Sequence, residues 1–233
     1  MEIPDQSDKS PDTASLGSSG SPGCSLSPRF VALHMPCIGR GLYISGLRGV
    51  TNKKFLEHQN ITHILNLARE LGDTVFPDFV DVQHVYLRDS EEEDLQRQLL
   101  ELVKHIHQVI DSGGRIVVNC VAGVSRSASV CLAYKVRYEG LSLREALDEV
   151  LKARPVICPN LAFWQALIQW EQEVRGENSV VMLPYICGMV PDLEFYKQHA
   201  EIQIKLGWMG ELLALWATWL LILTLQAIVI IHG

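Results

Sequence analysis

This chain of 233 residues is sparing with three things: paired cysteines, positive charge and metal-ligand spacing. Its six cysteines (Cys24, Cys37, Cys120, Cys131, Cys158 and Cys187) form no CxxC pair and no zinc pattern. No secretory signal precedes them, so they read as reduced thiols of a cytoplasmic protein rather than a disulfide framework. The net charge of -7 argues against non-specific nucleic-acid binding, while leaving room for a local positive pocket. His105 and His107 are two apart on a helical pattern and face different directions. His63 and His84 fall within strand-like runs, so neither a metal nor an organic cofactor is expected. Residues 1–28 lack large apolar side chains and are rich in Ser, Pro, Gly and Asp, which predicts a disordered leader.

What is present is a hydrophobic fraction of 48%, ample for one full-sized domain with segments left over. The chain centres on residues 117–127. Ile116 to Val118 is a β-branched run that predicts a buried strand; it ends at Cys120, passes Gly123 and reaches Arg126 and Ser127. From Ala128 the pattern turns helical, with Val130, Leu132 and Ala133 on the buried side and Cys131 as a small core residue. A cysteine in such a strand-to-helix turn faces exposed amides and a positive helix end, which bind a dianion and favour the thiolate. The turn residues Val121, Ala122, Gly123, Val124 and Ser125 would supply those amides, and the Arg126 guanidinium would grip two phosphate oxygens in a fork. This suits attack of sulfur on phosphorus. An inert buried cysteine beside a solvent-facing arginine is the bland alternative; it accounts for the cysteine but not for the whole constellation.

The flanks follow the same plan. Gly41–Ser45 and Ile61–Leu67 read as strands, with a short helical segment at Phe55–Leu56 between them and Asn66 near a strand end. Val82–Leu87 reads as the next strand. Asp89 follows it, where a mobile loop would start and where a carboxylic acid could protonate a leaving oxygen. Glu91, Glu92, Glu93 and Asp94 come at once; Glu92 to Asp94 suit the first turn of a helix carrying Leu95, Leu99, Leu102, Ile106 and Val109. Gly113-Gly114 ends that helix. Ser142 with Glu145 predicts a capping box, Arg154-Pro155 a stop, and Pro159-Asn160 the opening of a last helix with Leu161, Trp164, Leu167, Ile168 and Trp170. Strands alternating with helices predict an α/β sandwich, a central sheet flanked by helices.

Cys120-x5-Arg126-Ser127 resembles the signature of the cysteine-dependent protein phosphatases. The wording from Ala122 to Ser129 is similar to the small atypical dual-specificity phosphatases, and the resemblance covers most of residues 30–190. It implies a dual-specificity phosphatase-like sandwich, phosphorylated protein substrates, Cys120 as nucleophile and Arg126 as phosphate ligand. It further implies Asp89 as general acid and later base, Ser127 as the hydroxyl that helps the sulfur leave, and Asn66 as a brace of the phosphate loop. Ser127 could also cap its helix, and the two roles are compatible. Arg154 and Asn160, in the closing "RP…PN…FW" wording, look structural. Residues 176–192 resemble the C-terminal extension of a small subgroup of these enzymes. One position departs. The family has histidine before the nucleophile and this chain has Asn119. Asparagine can donate a hydrogen bond but cannot carry a positive charge, so a less acidic thiol and reduced turnover are expected.

Residues 212–231 are a run of twenty without a charge. About 20 helical residues span a hydrocarbon core, so the run predicts a hydrophobic C-terminal helix, transmembrane or membrane-associated. Lys205 is the sole nearby base, and a hydrophobic hairpin or helix docked on the domain, or an atypical chain ending, is the alternative. The expected organisation is a leader at 1–28, a catalytic domain at 29–178, an extension at 179–211 and this tail at 212–231. The expected activity is dephosphorylation of phosphotyrosine and phosphoserine/threonine through a cysteinyl-phosphate. A phosphoprotein-binding module with little turnover is the competing class. A phospholipid substrate is a third reading, disfavoured by the lack of an extended basic patch.

Overall fold

The structure is a computed structural model and describes residues 34–68, 74–185 and 188–194. The expected leader at 1–28 lies outside the described residues, and so does the hydrophobic run at 212–231. No helix among the described residues is long and apolar enough to cross a membrane.

Five strands form the main sheet: β1 (Cys37–Gly39), β2 (Leu42–Gly46), β3 (His63–Asn66), β4 (Asp81–His84) and β5 (Ile116–Cys120), in the order β1-β2-β5-β3-β4. β5 lies in the middle and runs parallel to β2 and β3; β4 is parallel to β3, and β1 is antiparallel to β2. The helices are α1 (Leu47–Val50), α2 (Lys53–His58), α3 (Gln96–Asp111), α4 (Arg126–Tyr138), α5 (Leu143–Ala153) and α6 (Leu161–Arg175). A two-stranded hairpin, β6 (Met182–Tyr185) and β7 (Gly188–Pro191), follows α6. The α/β sandwich expected from the sequence is what forms.

Strand alternation sorts the core into two layers. Leu42, Ile44, Leu65, Ile116, Val118 and Cys120 join the larger cluster with the apolar faces of α3 to α6. Tyr43, Ile64 and Val117, one residue out of phase, join a smaller cluster with Val50 and Leu56 of α1 and α2. The phase of β5 therefore sends Cys120 to the α4 side and Asn119 to the opposite face. Each fully buried aliphatic or aromatic side chain in these layers contributes about 1.5–3 kcal/mol relative to exposure. Trp164 and Phe163 on α6 are both wholly buried.

The chain differs from its sequence reading in several places. The strand expected over Val82–Leu87 occupies Asp81–His84, and Tyr86 makes only an isolated bridge to Ala68. The acids Glu92 to Asp94 precede α3 instead of forming its first turn; Glu93 accepts from the Arg88 amide and from Gln98, and Asp94 pairs with Arg97. β1 and the β6–β7 hairpin carry no periodicity strong enough to announce them. The capping box is as expected: Ser142 Oγ accepts from the Glu145 amide at 3.3 Å and Glu145 accepts from the Ser142 amide at 2.8 Å.

A buried carboxylate secures the end of the domain. Glu171 of α6 is fully buried and accepts from the Leu143 amide (2.7 Å), the Ser179 amide (2.8 Å) and the Ser179 hydroxyl (2.7 Å). Arg144 donates to the Ser179 carbonyl and the Asp192 carboxylate. The start of α5, the end of α6 and the extension are thereby tied at one corner, with the carboxylate's burial offset by three donors.

Candidate active site

The carboxyl ends of β2, β5, β3 and β4 carry, in register, Ser45, Asn119, Asn66 and His84. Parallel register partners present side chains on the same face, so three of these polar residues link up. Asn119 Nδ2 donates to Asn66 Oδ1 at 2.9 Å, and Asn66 Nδ2 meets His84 Nδ1 at 3.2 Å. The Ala68 amide also donates to Asn66 Oδ1, at 3.1 Å, which fixes the amide's orientation and requires His84 Nδ1 to be the acceptor. Asn66 thus braces the strand entering the loop through Asn119. Asn119 Oδ1, on a fully buried side chain, has no hydrogen-bond partner among the described residues.

Cys120 ends β5 and its side chain is buried. The Gly123 amide points at Cys120 Sγ from 3.2 Å, and Ser127 Oγ lies 3.4 Å from it. Ser127 is the second residue of α4, and its helix has Ser125 at the N-cap with no side-chain capping bond. The capping role considered for Ser127 is therefore not taken up; the hydroxyl faces the sulfur. Gly123 has φ +69°, and a Cβ there would lie 2.5 Å from the Gly46 nitrogen. The loop and the end of β2 approach backbone to backbone, which only glycine permits at that conformation.

The loop carbonyls turn outward. Val121 O accepts from the Leu47 amide (3.0 Å), Ala122 O from Arg154 Nη2 (2.9 Å), Gly123 O from Arg154 Nε (2.7 Å) and Val124 O from the Cys158 amide (2.8 Å). Four consecutive carbonyls held from outside make a concave nest of amides, the arrangement that receives an anion.

Arg126, the first residue of α4, is buried, and its Nη1 donates to the Leu87 (3.1 Å) and Leu67 (3.4 Å) carbonyls. Its Nε lies 3.7 Å from Asp89 Oδ2. Asp89 comes from the turn after β4, and its Oδ1 accepts from Ser125 Oγ (2.8 Å) and Asn160 Nδ2 (3.0 Å). Asn160 has a second task, since its Oδ1 caps α6 at the Phe163 amide. The residues singled out on the sequence, Asp89, Cys120, Arg126 and Ser127, thus meet in one place. Sequence reasoning missed that Asn160 and Ser125 hold Asp89. The Pro159-Asn160 signal announced a helix cap, and nothing in a separation of 71 residues announces the contact with Asp89.

Cys131 lies one helical turn beyond Ser127 and is wholly buried; desolvation pushes its thiol far above the ordinary range, which suits a core residue and not a second nucleophile. His105 is held below its ordinary value by burial and by neighbouring His63.

Residues 42–173 match the dual specificity phosphatase catalytic domain family. Human dual specificity protein phosphatase 18 is 36% identical over 169 residues, spanning 72% of this chain and 88% of the relative. Mouse dual specificity protein phosphatase 14 is 33% identical over 184 residues, spanning 77% of this chain and 92% of the relative. Among solved structures, human DUSP28 superposes with a TM-score of 0.56 at 30% identity, covering 60% of this chain and 95% of that one.

Proposed function

The chain belongs to the dual-specificity phosphatases and is a protein phosphatase acting on phosphorylated proteins, and on that premise we propose that Cys120 is its nucleophile. In the first step the Cys120 thiolate attacks phosphorus, the bond from phosphorus to the substrate oxygen breaks, and Asp89 gives its proton to that oxygen. The loop amides from Val121 to Arg126 and the Arg126 guanidinium hold the equatorial oxygens, where charge spreads in the transition state. In the second step Asp89 takes a proton from water, the water oxygen bonds to phosphorus, and the sulfur leaves with help from Ser127. Free phosphate departs and the Cys120 thiolate is regenerated.

The observation that carries this reading is the contact between Asp89 and Ser125. A carboxylate 36 positions away in sequence is hydrogen-bonded to a residue of the cysteine loop itself, beside Arg126. An inert cysteine needs no such partner. Asn119 supports a detuned enzyme: its side chain is neutral, and its Nδ2 donates to Asn66 Oδ1 and the Cys120 carbonyl rather than to the sulfur. The proposed catalytic unit is residues 29–178 with 179–211 as an extension, whose Ser179 and Asp192 are held by Glu171 and Arg144. Residues 212–231 are proposed as a membrane anchor on the strength of their twenty uncharged positions.

The test is phosphate release from an aryl phosphate and from phosphotyrosyl and phosphothreonyl peptides. Wild type is expected to turn over, Cys120→Ser to be inactive, and Asp89→Asn to lose about 10²–10⁴-fold with the peptides. Phosphopeptide binding without release by wild type would overturn the catalytic reading in favour of a binding module.

A further inference from the structure

The anion nest at Cys120 is built by holding carbonyls outward, and one side chain holds two of them. Arg154 follows the last turn of α5, where Pro155 forbids continuation, and its residue is wholly buried. Its guanidinium donates through Nε to Gly123 O (2.7 Å), through Nη2 to Ala122 O (2.9 Å) and through Nη1 to His34 O (2.7 Å). Such charge-assisted bonds are shorter and stronger than neutral ones. Carbonyls and amides of one peptide point in opposite directions, so fixing Ala122 O and Gly123 O outward directs the Gly123 and Val124 amides into the nest. The Gly123 amide is the one aimed at Cys120 Sγ.

We propose that Arg154 is a positioning residue for phosphoryl transfer: it locks the amides of the phosphate loop toward the nucleophile and supplies a fixed positive charge behind it. That charge stands where it matters in this chain, because the residue before the nucleophile is the neutral Asn119. Arg126, the other buried guanidinium here, lies beside the Asp89 carboxylate. Burial lowers the proton affinity of Arg154, and the nearby Cys120 acts on it in the opposite sense. Lysine at this position would keep the charge but could not present the planar fork that spans two adjacent carbonyls.

The inference rests on Cys120 being the nucleophile, and the experiment separates the two claims. Wild type, Arg154→Lys and Arg154→Gln are compared in three measurements: aryl phosphate turnover per alkylatable cysteine, inhibition by orthovanadate, and the pH dependence of Cys120 alkylation by iodoacetate. Arg154→Lys is expected to lose roughly tenfold or more in kcat and in orthovanadate affinity, with KM changed far less, because the amides matter most in the transition state. Its alkylation profile should stay in place. Arg154→Gln should show the same losses and an alkylation profile moved to higher pH by about one unit. A merely structural role would lower the melting temperature and leave all three measurements on the folded fraction at wild-type values. Should Arg154→Gln fail to fold, wild-type kcat and orthovanadate affinity in Arg154→Lys overturn the proposal on their own. A wild type that releases no phosphate defeats the assignment of Cys120; an active wild type with an equally active Arg154→Lys defeats only the role of Arg154.

Discussion

Asn119→His is the perturbation that most directly tests how this loop controls its sulfur. Asn119 is fully buried, its Nδ2 bonds Asn66 Oδ1 at 2.9 Å, and its Oδ1 has no partner among the described residues. Removing an unpartnered buried carbonyl recovers about 1–3 kcal/mol, and enlarging the side chain costs about 1–3 kcal/mol in overpacking. The fold should therefore change in stability by no more than ~2 kcal/mol. An imidazole can donate to the same Asn66 oxygen and, once protonated, places a positive charge next to Cys120. At an effective dielectric constant of about 20 and a separation of roughly 7 Å, that charge is worth ~2 kcal/mol to the thiolate, or about 1.5 pH units. The gain in rate is smaller, because a more acidic thiol is a weaker nucleophile; with a Brønsted slope of about 0.5 the net effect is roughly fivefold below the alkylation midpoint. The assay is iodoacetate alkylation across pH 4–9 alongside aryl phosphate turnover. A variant that melts near wild type but whose alkylation midpoint does not fall would refute the electrostatic reasoning.

Two further predictions concern the scaffold. Gly123→Ala would set a Cβ 2.5 Å from the Gly46 nitrogen and the Ser45 carbonyl carbon at φ +69°, whereas Gly140, at φ +72°, has open space around it. Gly140→Ala should cost about 1–2 kcal/mol for backbone strain alone, and Gly123→Ala ~1–3 kcal/mol more together with most of the activity; equal urea midpoints would contradict the close approach. Ser142→Ala should lower the melting temperature by about 2–4 °C at neutral pH by breaking the capping box. Hydrogen bonds from the Ser142 amide and hydroxyl hold the Glu145 carboxyl below its ordinary range, so its contribution is present above that range and is lost as pH falls through the folded value. The gap between variant and wild type should accordingly narrow in acid; a gap that widens there would contradict the sign.

Much of the site could be read from residue order because its parts are local. Cys120, Arg126 and Ser127 sit in one strand-to-helix turn, and the chemistry of that turn follows from a β-branched run, one glycine and a helical pattern. The placing of Asp89 at the cysteine loop, ahead of four neighbouring acids, was legible from its position after a strand, since a strand's carboxyl end is where an open α/β sheet gathers its site. The helices declared themselves through three- and four-residue apolar spacing, and α5 through its cap. Strand limits and the position of the acidic run were less legible; Glu93 and Asp94 take local partners ahead of the helix.

Only tertiary structure decided how the loop is held. The four outward carbonyls of Val121 to Val124 are bound by donors at positions 47, 154 and 158, separations at which sequence carries no pairing signal. Sheet register, not spacing, lines up Asn119 with Asn66 and Asn66 with His84. The sequence by itself determined the family and the proposed reacting groups, because covalent neighbours in a turn have few ways to be arranged. The donors that orient them come from elements that meet only when the sheet and its helices pack, and that meeting is a property of the whole fold.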